Sequence, residues 1–272
     1  MTALLEEIDE LINLLEADIP ASPNSMGNVR RQGKLEREMR SYFKKLDNAF
    51  PYHKIDRLYK KYITESLGSE TDSVLDPLLA SFESDLKFSL NGWMAETYLS
   101  GQAEMITWGK TKGGIPIAYE GPPISHAVDW AKQHSATLVT QMGEETKRRL
   151  ALTISNGINQ KRGIPGLARD IRNTFGDMTR YRSQLIARTE TAFALSSASL
   201  DSMADMGIEG KEWVTVGDSR VSAECQANAA QGVIPVNEPF QSGAMAPPQH
   251  PACRCALAPS TALPGKKPAE EG

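Results

Sequence analysis

The most specific chemistry in this sequence lies in three cysteines and a histidine. Cys225, His250, Cys253 and Cys255 follow the order Cys-x24-His-x2-Cys-x-Cys inside a 31-residue window. Three soft thiolates and one imidazole make a Cys3His donor set suited to tetrahedral zinc. On a strand, Cys253 and Cys255 would point their sulfurs to one face and Arg254 to the other. Pro251 can turn the chain so that His250 joins them, and Cys225 must then arrive from the preceding helix. Four protein ligands would leave no open position, so such a zinc would be structural. The region also needs a staple. Its large apolar groups are few, mainly Trp213, Val214, Val216, Val233, Ile234, Phe240 and Leu257. In so thin a core, metal binding would act as folding free energy. The competing reading is three buried free thiols and an unrelated histidine, because cysteine is commonly buried.

Complete catalytic signatures are missing. Gly109-Lys110-Thr111 resembles the end of a phosphate-binding loop, but Glu104 stands where the first glycine of the cradle is required. Gly217-Asp218-Ser219 lacks the Gly-x-Ser-x-Gly elbow. Pro251 to Cys255 lacks the His-x-Glu and Cys-x-x-Cys of a zinc deaminase. His126 and His134 sit eight apart on one predicted helix and read as surface or core histidines without a role. Arg188-Thr189-Glu190 sits mid-helix beside Ile186, Ala187 and Phe193, which predicts a buried Arg188–Glu190 pair. Asp218 and Arg220 follow a predicted strand and could bracket its turn.

The elements that must position these groups are mostly helices. Leu4, Leu5, Ile8, Leu11, Ile12 and Leu15 predict an amphipathic first helix, and residues 20–28 read as a linker. Helices follow over about 30–49, from Ile55 to Ile63, and over about 73–107, the last with Asn91-Gly92 as a candidate interruption. Residues 109–124 are rich in breakers and read as a boundary or long loop. Helix returns from 125 to about 158. Pro165 starts a short helix ending near Phe175. Thr179 reads as the cap of a long helix ended by Gly207. Strands are expected at 212–216, 233–236 and 253–257, a short helix within 219–230, and a disordered tail from Pro259. The fold class is therefore α+β and mainly α-helical, with helical N-terminal and middle regions and a small β-containing, zinc-stapled C-terminal module. Its expected divisions are 1–72, 73–124, 125–258 and 259–272.

At 272 residues, with 24% charged and 40% hydrophobic residues, the composition is that of a globular protein and argues against wholesale disorder. No apolar run is long enough to span a membrane. Acidic residues stand where a signal peptide would carry positive charge, so export by that route is not expected. Three cysteines cannot all pair within one chain, and they read as reduced thiols. The net charge of −4 hides segregation: residues 29–62 carry +7 and 146–188 carry +8, while the blocks around them are acidic. The basic blocks could meet phosphate, or form solvated faces docked on acidic segments of the same chain. Neither interleaves aromatics in the manner of a single-strand platform.

One ordered set of residues resembles a known family. Ile186-Ala187-Arg188-Thr189-Glu190-Thr191, Glu212-Trp213-Val214-Thr215 with Asp218 and Arg220, then Cys225, Pro239-Phe240, and His250-Pro251-Ala252-Cys253-Arg254-Cys255 are similar to the phage Mu F-like head morphogenesis family. The likeness covers roughly 90–258. It implies a minor head protein of a tailed bacteriophage or prophage, not an enzyme. Such a protein would act in procapsid assembly in the host cytoplasm and in the virion head. Its implied partners are the portal, major capsid or scaffolding protein, with a role in DNA packaging or exit. The resemblance makes Arg188, Glu190, Trp213 and Asp218 a structural nucleus and Cys225, His250, Cys253 and Cys255 the zinc cluster. Two other readings stand beside it. An ADP-ribosyltransferase or toxin-like enzyme could ride on the same module, although the one Glu-x-Glu, Glu36 and Glu38, lies in a charged helix. A DNA-binding zinc module could use segments 29–62 and 146–188, with steeply salt-dependent affinity.

Overall fold

Apolar side chains recurring every three or four positions wind most of the chain into helix. The computed structural model describes residues 19–56, 68–115, 124–261 and 263. The expected helix over Leu4–Leu15, most of the one from Ile55 to Ile63, and the chain beyond 263 lie outside them. The helices are α1 (Met26–Ala49), α2 (Gly68–Thr111), α3 (Ile124–Asn159), α4 (Ile164–Asp177), α5 (Ser183–Asp205) and α6 (Ala223–Ala230). A three-residue 3-10 turn, Tyr52–Lys54, follows α1. Three strands, β1 (Gly210–Val214), β2 (Ile234–Pro235) and β3 (Ala256–Ser260), complete the described chain. This is a mainly helical α+β protein. No helix among the described residues is long and apolar enough to cross a membrane.

Two compact units emerge. One comprises residues 35–93 and 130–184, the other residues up to 34, 94–129 and 185 onward. In the first, Leu35, Met39, Phe43 and Leu46 form the buried stripe of α1. Phe50 meets Phe175 of α4 edge to face, with ring centroids 5.8 Å apart. Asn91-Gly92 does not interrupt α2, because Leu90, Trp93 and Met94 are buried around it and their burial outweighs the local cost of glycine. Thr179 is not a cap either. Its hydroxyl donates back to the Phe175 carbonyl at 2.9 Å, and a π-turn over Met178–Arg182 carries α4 into α5 without a break. Arg182 in that turn is buried. It donates to Thr146 Oγ1 at 2.8 Å and to the Met142 carbonyl at 3.2 Å, with its guanidinium over the Phe43 ring. Several cations of the basic 146–188 block have carboxylate partners: Lys147 with Asp76, Arg148 and Arg149 with Glu145, and Arg162 with Asp170.

The second unit holds the C-terminal module. α2 and α5 approach closely at Gly101, where a Cβ would stand 3.0 Å from that of Ala198. Buried Tyr98 donates to Asp201 beside this contact. Gly207, with φ +68°, ends the helical run through α5. β1 is central in an antiparallel sheet of order β2-β1-β3, with Trp213 opposite Leu257 and Gly210 opposite Ser260. The register corrects two expectations. Pro259 and Ser260 are strand residues rather than disordered tail, and the cysteines precede β3 instead of lying on it. Residues 20–28 also differ from a linker: Pro20, Ala21, Ser22, Pro23 and Asn28 are buried. Met105, Met203, Ile208, Trp213, Phe240, Leu257 and the three cysteines share one core cluster.

Candidate metal centre

Cys225 enters from the first turn of α6. Ser222 caps this helix, its hydroxyl accepting from the Cys225 amide at 3.2 Å. Cys253 and Cys255 arrive on the loop leading into β3. A tight turn, with Cys253 N donating to the His250 carbonyl at 3.1 Å and Ala252 at φ +58°, folds that loop back. The three buried Sγ atoms lie within 4.8 Å of one another. Cys225 and Cys253 are 3.7 Å apart, and His250 Nε2 is 3.5 Å from Cys225 Sγ. Zinc–sulfur bonds of about 2.3 Å and zinc–nitrogen bonds of about 2.0 Å at the tetrahedral angle set ligand atoms about 3.5–3.8 Å apart. The Cys225–Cys253 and Cys225–His250 pairs already sit at coordination spacing, and Cys255 Sγ lies within 4.8 Å of the other two sulfurs. His250 approaches through Cys225 and stands outside the compact three-sulfur set.

The histidine's tautomer follows from its neighbour. His250 Nδ1 is 3.0 Å from the Pro251 carbonyl, which can only accept, so Nδ1 carries the proton. That leaves the Nε2 lone pair facing Cys225, the arrangement a ligating imidazole adopts. Crowding splits the thiols' proton affinities. A hydrogen bond from the Cys255 thiol, aided by backbone donors of Cys255 and Gln249, pulls Cys253 down to about 5 against its burial. Donation to Cys253 and burial push Cys255 well above the ordinary thiol range, while the Trp213 indole opposes that rise. Burial raises Cys225. Trp213 Nε1 is buried without a hydrogen-bond partner among the described residues, and its N–H favours a Cys255 thiolate. A buried indole donor beside three gathered sulfurs suits an anionic, metal-binding cluster.

The loop is braced from three sides by residues whose part the sequence pattern does not reveal. Arg254, between the two cysteines, is gripped by both carboxylate oxygens of Asp218 at 2.6 and 2.7 Å. Arg220 donates to the same carboxylate at 2.9 Å, and its backbone amide closes the turn by donating to Asp218 Oδ1 at 3.0 Å. The Arg254 guanidinium and the two contacts of Arg220 hold the Asp218 carboxyl well below the usual carboxylate range. Thr189 Oγ1 accepts from the Ala252 amide at 3.0 Å. Asn24 Nδ2 donates to the Arg254 carbonyl at 2.9 Å. No ion pair between Arg188 and Glu190 is found among the described residues. Positions two apart on a helix point to different faces, and both residues are half-buried. The residue of that triplet which reaches the cluster's loop is Thr189. Trp213 is 1% exposed and meets Phe240 edge to face at 5.1 Å. Ser222, three residues before Cys225, has the residue type of a helix cap, a signal the sequence reading did not use; Asn24 and Thr189 carry no local signal.

Residues 144–258 match the family model described as phage Mu protein F like protein, so this part of the chain is similar to that family. The match begins later than the start near residue 90 that the motifs suggest, and it contains the whole cysteine cluster. No curated protein and no solved structure matches this chain.

Proposed function

We propose that this protein is a minor head protein of a tailed bacteriophage or prophage, acting in head assembly alongside the portal. Its C-terminal module is stapled by one structural zinc on Cys225, His250, Cys253 and Cys255, and it works without catalysis. The observation that carries the reading is a phage Mu F-like segment, 144–258, with a sulfur cluster at coordination spacing at its C-terminal end. A metal there would cross-link α6 to the strand β3 loop and supply folding energy. A closed donor set of three thiolates and one imidazole leaves no position for a substrate or water, which favours a structural role.

Head components act by contact, so the test is assembly. The chain is expected to co-purify with the portal or capsid protein of its own phage. Its removal is expected to give malformed or non-infectious heads. Normal head morphology and full infectivity after deletion would overturn the proposal. A DNA-contact role finds no comparable support, since Lys147, Arg148, Arg149 and Arg162 already face carboxylates of this chain.

A further inference from the structure

Residues 20–28 pack into the unit that holds the cysteine cluster, and they reach the cluster's loop through a hydrogen bond at Arg254. Inside the segment, Asn28 Nδ2 donates to the Ser22 carbonyl at 2.9 Å, and the Ala21 amide donates to Glu104 Oε2 at 2.9 Å. These bonds shape the segment and moor it to α2. Another bond reaches the loop: Asn24 Nδ2 to the Arg254 carbonyl at 2.9 Å. Arg254 is the single residue between Cys253 and Cys255. Its side chain is held by Asp218, so its carbonyl direction depends on where the two flanking sulfurs are fixed.

We infer that metal occupancy of the cysteine cluster and docking of residues 20–28 are linked. This rests on the metal reading above and adds a consequence to it. A metal that fixes the sulfurs of Cys253 and Cys255 fixes the peptide between them, presenting the Arg254 carbonyl to Asn24. Without it, the loop is free to rotate that carbonyl away, and the segment loses its hold on the module. The coupling is reciprocal: a docked segment also favours the metal-binding form of the loop. Residues 20–28 run into the first turn of α1, so the state of the cluster is carried to the start of that helix.

The test uses the full chain, purified without a histidine tag, and Asn24→Ala and Asn24→Asp variants, neither of which can donate to Arg254. Zinc affinity is read by chelator competition, and amide exchange is compared between zinc-loaded and chelator-stripped protein. The expected result is that stripping accelerates exchange in 20–28 while residues 164–177 of α4 are unchanged. Both variants should bind zinc about five-fold more weakly, the worth of one neutral hydrogen bond. Wild-type affinity in both variants, with zinc bound, would overturn the linkage and leave the metal site standing. If stripping opens the whole module, the variants' affinities alone decide. A wild-type chain that binds no zinc would overturn the metal reading, and the linkage with it.

Discussion

Replacing Cys253 by serine removes the thiol 3.7 Å from Cys225 Sγ and should expose how much the staple contributes. The two residues are 28 apart in sequence. Cross-linking a loop of that size removes about 12 cal/mol/K from the unfolded chain, about 3.5 kcal/mol at 25 °C in the chain-entropy model. A metal bound only by the folded state acts in the same sense. On a chain of this size the loss corresponds to a fall on the order of 10 °C in Tm. The assay is elemental mass spectrometry on tag-free protein together with thermal unfolding, before and after chelation. Wild-type protein should carry near one zinc per chain and lose most of that stability on stripping. Cys253→Ser should lack the metal, start near the stripped wild-type value and respond little to chelator. The serine hydroxyl adds its own burial cost, about 1–3 kcal/mol, which is why the stripped wild type is the reference. The reasoning is refuted if stripping leaves wild-type Tm unchanged while Cys253→Ser is still destabilised. The thiols would then contribute packing alone.

Other outcomes follow from the same structure. Trp213→Ala empties the largest fully buried site of the module and should cost about 3–5 kcal/mol in chemical denaturation, with a loss below about 1 kcal/mol speaking against its anchoring role. Lys211 is fully buried, donates to the Met245 carbonyl at 2.9 Å, and burial lowers its pKa from 10.5 to about 8. Between those values the unfolded chain holds a proton the folded chain has released, so its contribution makes stability rise with pH from 8 to 10.5. Lys211→Met should flatten that part of the Tm–pH profile, and identical profiles would discount the burial. Two glycines should respond in opposite directions. Gly157→Ala would place a Cβ 2.6 Å from Leu167 Cδ1 and should destabilise by about 1–3 kcal/mol, whereas Gly92→Ala, with nothing within 4 Å, should stabilise α2 by up to about 1 kcal/mol.

Much of the helical scaffold was legible because its signal is periodic. Leu35, Met39, Phe43 and Leu46 declare their stripe in any window, and Gly207 declares the end of α5. Punctuation was less dependable. Asn91-Gly92 and Thr179 look like breaks, yet the burial of Leu90, Trp93, Phe175 and Met178 keeps the helices running through them. The strand boundary near the cysteines was displaced, because β1 pairs with Ala256–Ser260 and leaves Cys253 to Cys255 as a loop. That displacement helps the cluster, since a loop can turn both sulfurs toward Cys225.

Residue type and order alone determined which donors this chain can offer: three thiols and an imidazole in one short window, and helices long enough to carry them. They could not determine which backbone atoms would hold that window in place. Thr189 meets Ala252 across 63 residues, Asn24 meets Arg254 across 230, and Asp218 grips Arg254 across 36. Each contact is one or two polar pairs whose energy has no periodic trace in the sequence. It exists only because helix packing and the β2-β1-β3 register bring those atoms within 3 Å. Hydrophobic patterning is a sum over many residues and survives in one dimension. A brace made of one donor and one acceptor is decided only when the chain has folded.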